Sequence, residues 1–133
     1  IHTKNLFKRQ KKAIRVVTSS KWNSHTAPLF KKFHILNLYD INIVQTGCFV
    51  YKSLHGMLPS LFNNYFNYNI SIHSHGTRHQ INLHVPRART NIRASAIRIS
   101  GVKIWISIED SIRSKTSISS FKKHLKNSLI NNY

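Results

Sequence analysis

Between residues 4 and 19, "KNLFKRQKKAIRVVTS", apolar and basic positions separate with a helical period. At about 100° per residue, Leu6, Phe7, Ala13, Ile14 and Val17 fall within about 120° of one another, while Lys4, Lys8, Lys11, Lys12 and Arg15 share a separate arc of about 100°. This pattern predicts an amphipathic helix. Further along, Thr26 stands where a cap belongs and Pro28 fits a first turn, which tolerates a residue without an N–H. Leu29, Phe30, Phe33 and Leu36 then make the apolar side of a short helix. Asp40 is placed to cap a helix over 41–55, whose apolar positions Ile41, Ile43, Val44, Cys48, Val50, Tyr51 and Leu54 cover well over half the circumference. A helix apolar nearly all round is a buried one. Gly56 ends it, and Pro59 opens a segment rich in aromatic residues.

In that segment Phe62, Tyr65, Phe66 and Tyr68 are able to stack on bases. The spacing of 62, 65 and 66 is nonetheless that of a core-facing turn, and core packing is the favoured reading. From 70 to 100 the helical period fades, and β-branched residues with turn formers predict short strands and loops. "ASAIRIS" reads as a strand, and "GVKIWISI" as a short helix or a second strand, with Trp105 an anchor of the core among Ile104, Ile106 and Ile108. Ser117 caps a last helix that carries Ile118, Phe121, Leu125 and Leu129 on one face and Lys122, Lys123 and Lys126 elsewhere. The expected fold is mainly α with a few short strands (α+β). Its 133 residues are long enough to bury one core and too short for two independent domains. Residues 1–69 make a helical part of this single compact segment, and 70–133 a part of short strands, loops and a C-terminal helix.

Charge changes the picture. Against 21 Lys and Arg stand three acids, Asp40, Glu109 and Asp110, so at most three cations can be paired one to one. The formal net charge is +18. A compact monomer of this mass exposes roughly 7,000 Å², and a surface so loaded repels itself unless a polyanion or a larger parent protein shares the charge. Ordinary surface helices mix signs for i,i+4 support, whereas the basic stripe of the first helix contains no acid. Phosphate contact is the favoured role for that stripe, beside a merely solvated face and a membrane-surface helix. The apolar arc lacks a Trp anchor, which counts against the membrane. Arg78, Arg87, Arg89, Arg93 and Arg98 likewise stand in a stretch with no acid before Glu109, and contact with an RNA or DNA backbone is favoured over capping of helix C-termini.

No apolar run approaches the ~18 residues of a spanning helix, and the first ten residues lack the apolar region of a signal peptide. An intracellular protein, nuclear or cytoplasmic and not secreted, is expected. Cys48 excludes an internal disulfide, being the sole cysteine. A chain that opens on Ile1 is expected to be a piece of a longer one. Catalysis by paired carboxylates or two metal ions needs several acids converging on one point, which three acids, two of them adjacent, hardly allow. His73, His75, His79 and His84 lie close in sequence, but their spacing and the lack of a nearby Cys or carboxylate argue against zinc. No cofactor is expected.

The blocks "HTAPLFKKFHIL", "FVYKSLHGMLPSLFNNYF", "IHSHGTR", "RTNIRASAIRISGVKIW" and "SFKKHLKNSLI", in this order, resemble the C-terminal tail of reverse transcriptases from non-LTR (LINE-type, jockey-like) retrotransposons. The likeness runs from about Leu6 to Tyr133. It implies a helical thumb or post-thumb region downstream of fingers and palm, with RNA, DNA and the rest of the parent polymerase as partners and no membrane. The family's aromatic-Ala-Asp-Asp polymerase motif does not occur here, so the segment is expected to be inactive by itself. His75 and Gly76 replace the family's usual Tyr-Asn, and Val102, Ile106, Ile108 and Glu109 replace both prolines and other residues around Trp105. The expected function is to grip template RNA or an RNA–DNA hybrid through phosphates, using Lys4, Lys8, Lys11, Lys12, Arg15, Arg78, Arg87, Arg89, Arg93 and Arg98. The alternative is a free-standing basic protein that binds RNA, DNA or an anionic membrane surface.

Overall fold

The computed structural model of the chain describes residues 2–72, 76 and 80–133 and is mainly helical. In chain order the α-helices are α1 (His2–Val17), α2 (Ala27–Lys32), α3 (Leu38–Leu54), α4 (Asn91–Ser95), α5 (Ile97–Ser107), α6 (Asp110–Arg113) and α7 (Ile118–Asn131). Single 3₁₀ turns occur at Ser60–Phe62 and Asn69–Ser71. The chain divides into two compact units: Ile1–Val44 with Lys123–Tyr133, and Gln45–Lys122.

In the first unit α1 forms where its period predicts, but its packed face is not the centre of its apolar arc. Ile14 is buried, and Phe7, Gln10, Lys11 and Arg15 are half-buried, whereas Leu6, Ala13, Val16 and Val17 are exposed. Gln10 explains the seating. Its amide donates to the Leu36 carbonyl and accepts from the Leu38 N–H, each at 2.9 Å, so a polar residue satisfies the backbone between α2 and α3. The Phe7 ring meets Tyr39 edge-on at 5.1 Å. Core positions of this unit are Ile14, Phe30, Val44, Leu125 and Ile130.

Thr26 occupies the N-cap of α2 with Pro in its first turn, as expected, but makes no side-chain cap bond and is itself buried. Phe33, expected on the buried side, is exposed, because α2 stops at Lys32 and Phe33 lies past its last turn. The cap of α3 is also corrected. Asn37, not Asp40, accepts from the N–H groups of Tyr39 and Asp40, at 2.9 and 3.0 Å, and Asp40 sits inside the first turn. Asn and Asp cap about equally well, so local preference does not choose between them. At the far end Gly56, at φ 64°, closes α3 through Met57 N–H to Lys52 O and Gly56 N–H to Ser53 O, the paired bonds of a Schellman ending. Ser19 and His34 close α1 and α2 in the same way without the help of glycine.

In the second unit, Phe49 is ringed by Phe62, Tyr65 and Phe66 at centroid distances of 5.4, 6.1 and 6.1 Å, all edge-on. Of these aromatics Phe66 is buried and Phe62 and Tyr65 are half-buried, while Tyr68 is exposed and forms a lone antiparallel bridge with Leu83. That bridge is the only β pairing among the described residues. The strand expected at "ASAIRIS" is a helix: Thr90 caps α4 by accepting from the Arg93 N–H, and α5 begins at Ile97. Ile99, Val102 and Trp105, three apart, are buried along α5, so a helical period was present beneath the β-branched composition. Gly101 lets α5 approach α3 closely, since a Cβ there would lie 3.2 Å from Val50 and 3.4 Å from Phe66. Trp105 is 6% exposed and stacks on Phe121 at 5.7 Å. The Tyr51 ring lies 4.8 Å from Phe121, and its hydroxyl donates to the Lys115 carbonyl at 2.7 Å. Ser117 caps α7 by accepting from the Ser120 N–H at 3.2 Å.

Candidate nucleic-acid interface

The carboxylates come first, because they limit what the cations can do. Asp40 accepts from Asn37 Nδ2 at 2.6 Å and from the Tyr133 hydroxyl at 2.5 Å. Asp110 pairs with Arg113, the single ion pair among the described residues. Glu109 accepts from the Ser111 hydroxyl at 3.3 Å. All three acids are thereby placed, and none meets a cation of α1 or of residues 87–98.

On α1, Lys4, Lys8 and Lys12 are exposed. Lys11 and Arg15 belong partly to the fold. The Lys11 ammonium lies 4.4 Å from the centroid of the Phe7 ring, a cation–π contact. Arg15 Nε donates to the Ser24 carbonyl at 2.8 Å and so holds the loop that leaves α1. Arg9, which falls outside the expected stripe, is exposed as well.

Arg87 and Arg89 are exposed in the irregular segment before α4, and Arg78 lies outside the described residues, as do His73, His75 and His79. His84 is described, with Nδ1 3.3 Å from Asn69 Oδ1. No group of three potential metal ligands occurs among the described residues.

Arg93 and Arg98 are brought together. Both line a cleft of about 320 Å³ whose walls include Tyr65, Phe66, Ile72, Pro86 and Ile99. In an unbroken helix residues five apart would point about 140° away from each other. Ala96, extended at φ −59° and ψ 142°, breaks the helix between α4 and α5 and itself lines the cleft. Phe66 and Ile99 are buried and the two arginines exposed, so the floor is apolar and the rim cationic. The Arg98 guanidinium stands 5.8 Å from the centroid of the Tyr65 ring. Sequence reasoning selects both arginines by the lack of acids around them, but nothing in the spacing of Tyr65 and Arg98 announces that they meet.

The Cys48 thiol is buried in the core. Burial pushes the Cys48 thiol up against the opposing pull of Lys122 and Lys52, which keeps it protonated. No helix among the described residues is long and apolar enough to cross a membrane. No protein-family model, curated protein or solved structure matches the chain.

Proposed function

We propose that the chain is a nucleic-acid-binding segment of an RNA-directed DNA polymerase of the non-LTR retrotransposon type, its thumb or post-thumb region, without polymerase chemistry of its own. The family assignment rests on the five sequence blocks. The binding role rests on one observation: three carboxylates, each engaged locally, leave the exposed Lys4, Lys8, Lys12, Arg87, Arg89, Arg93 and Arg98 with no acid to meet. Phosphate oxygens supply what the chain lacks. If about six cations engage, log K for single-stranded RNA falls against log salt with a slope near about −4, and near about −5 for duplex DNA. A slope close to zero, or binding confined to one base sequence, overturns the proposal.

Exposed Leu6, Val16 and Val17 beside Arg9 and Lys12 favour a second reading, in which α1 lies on an anionic membrane surface. Co-sedimentation with phosphatidylserine vesicles separates the two. RNA that strips the protein from the vesicles at equal charge concentration supports the nucleic-acid reading, and vesicles that strip it from RNA support the membrane.

A further inference from the structure

The cleft at the α4–α5 break combines features that a phosphate-gripping surface does not need. A backbone phosphate asks for a cation in water; it does not ask for a hollow walled by Tyr65, Phe66, Ile72 and Pro86. Folding does not need exposed guanidiniums at the edge of such a hollow either, and no carboxylate reaches Arg93 or Arg98 among the described residues. The Arg98 guanidinium is planar and already held over the Tyr65 ring, and a planar cation of this kind stacks on aromatic rings as well as pairing with anions. At about 320 Å³ the hollow lies at the low end of ligand clefts, in the range of one nucleotide rather than a stacked pair.

We infer that this cleft takes one unpaired nucleotide of a bound single strand, its base against the Tyr65–Arg98 pair and the apolar floor, its phosphate on Arg93 and Arg98. The inference rests on the nucleic-acid reading above and adds to it a preference. Duplexes, whose bases are buried in the stack, engage the cations alone. Single strands also place a base in the cleft and gain its stacking.

The test uses the whole chain and a single-stranded 12-nucleotide RNA with 2-aminopurine at its centre, whose fluorescence reports stacking, beside a duplex of the same length. Saturating protein is expected to change the fluorescence of the single strand at least twofold and to leave the duplex signal unchanged. Arg93→Lys with Arg98→Lys is expected to keep duplex affinity within about threefold and the salt slope intact, yet to weaken single-strand binding about tenfold and to lose most of the fluorescence change, because an ammonium does not stack as a guanidinium does. Both side chains are exposed, and an unchanged far-UV circular dichroism spectrum checks that the variant folds. Salt-sensitive binding with no fluorescence change overturns the cleft and leaves the phosphate reading standing. A fluorescence change that the Lys variant retains also overturns the cleft, by placing the base elsewhere. No binding to either strand overturns both. Uridine monophosphate that displaces the strand's signal at concentrations matching the strand's own affinity overturns the strand as occupant in favour of a free nucleotide.

Discussion

Tyr133 shows how much a single side chain organises in the first unit. Its hydroxyl accepts from the Asn37 N–H at 2.9 Å and donates to Asp40 at 2.5 Å, while its ring meets Phe30 edge-on at 6.0 Å. Burial and the bond to Asp40 push the phenol up to about 12 from its ordinary 10.0. A group whose folded value is raised stabilises fully below the unfolded value and loses that contribution as pH climbs through the folded one. Tyr133→Phe is therefore expected to melt lower than the parent by a constant gap from pH 7 to 9, and the gap is expected to close between pH 10 and 12. Melting curves of both proteins across that range check it, and a gap that persists at pH 12 would detach the phenol from Asp40. Little of this was legible beforehand. The string "NLYD" offers two capping residues three apart, and only the tertiary contact with Tyr133 decides that Asp40 serves as an acceptor while Asn37 serves as the cap. Trp105 was legible, because its apolar neighbours leave it nowhere else to go.

Among the elements, α1 and α5 fail to match their sequence patterns in opposite ways. The period of α1 is unmistakable, yet the helix seats through Gln10 and Phe7 and leaves Leu6, Val16 and Val17 in solvent, a choice made by backbone groups at residues 36 and 38 that no helical wheel contains. In α5 the β-branched residues hide a helical period that only burial of Ile99, Val102 and Trp105 brings out. The cations of α1 sort accordingly. Lys4→Gln, Lys8→Gln and Lys12→Gln together are expected to shift the melting temperature by less than about 2 °C, since Gln is nearly as good a helix former, and to flatten the salt slope on single-stranded RNA by about 2. Arg15→Gln should do the reverse. It removes the bond to the Ser24 carbonyl, about 1 kcal/mol of net stability, and leaves most of the affinity in place. Paired calorimetry and salt titrations on the two variants check this assignment, and a triple variant that melts early but binds normally would invert it.

For the molecule as a whole, the net charge of +18 is a cost of folding as well as a means of binding. Compaction brings like charges together, and screening relieves them over a Debye length of about 10 Å at 0.1 M salt. Sodium chloride is therefore expected to raise the melting temperature between 20 and 200 mM, and a polyanion to raise it further at the same ionic strength. The second effect is linkage: a ligand bound only by the folded state adds about 2.7 kcal/mol at a hundred times its Kd, roughly 10 °C for a chain of this size. Single-stranded RNA, duplex DNA and heparin, compared at matched charge, resolve what that stabilisation consists of. Phosphates alone predict similar rises for RNA and DNA. A base-accepting cleft predicts a larger rise with the single strand, confined to the unit of residues 45–122 that contains Arg93 and Arg98, and hydrogen exchange read separately on the two units is the measurement that tells these outcomes apart. Protection spread evenly over both units with every polyanion would mean that charge, without any built site, accounts for the binding.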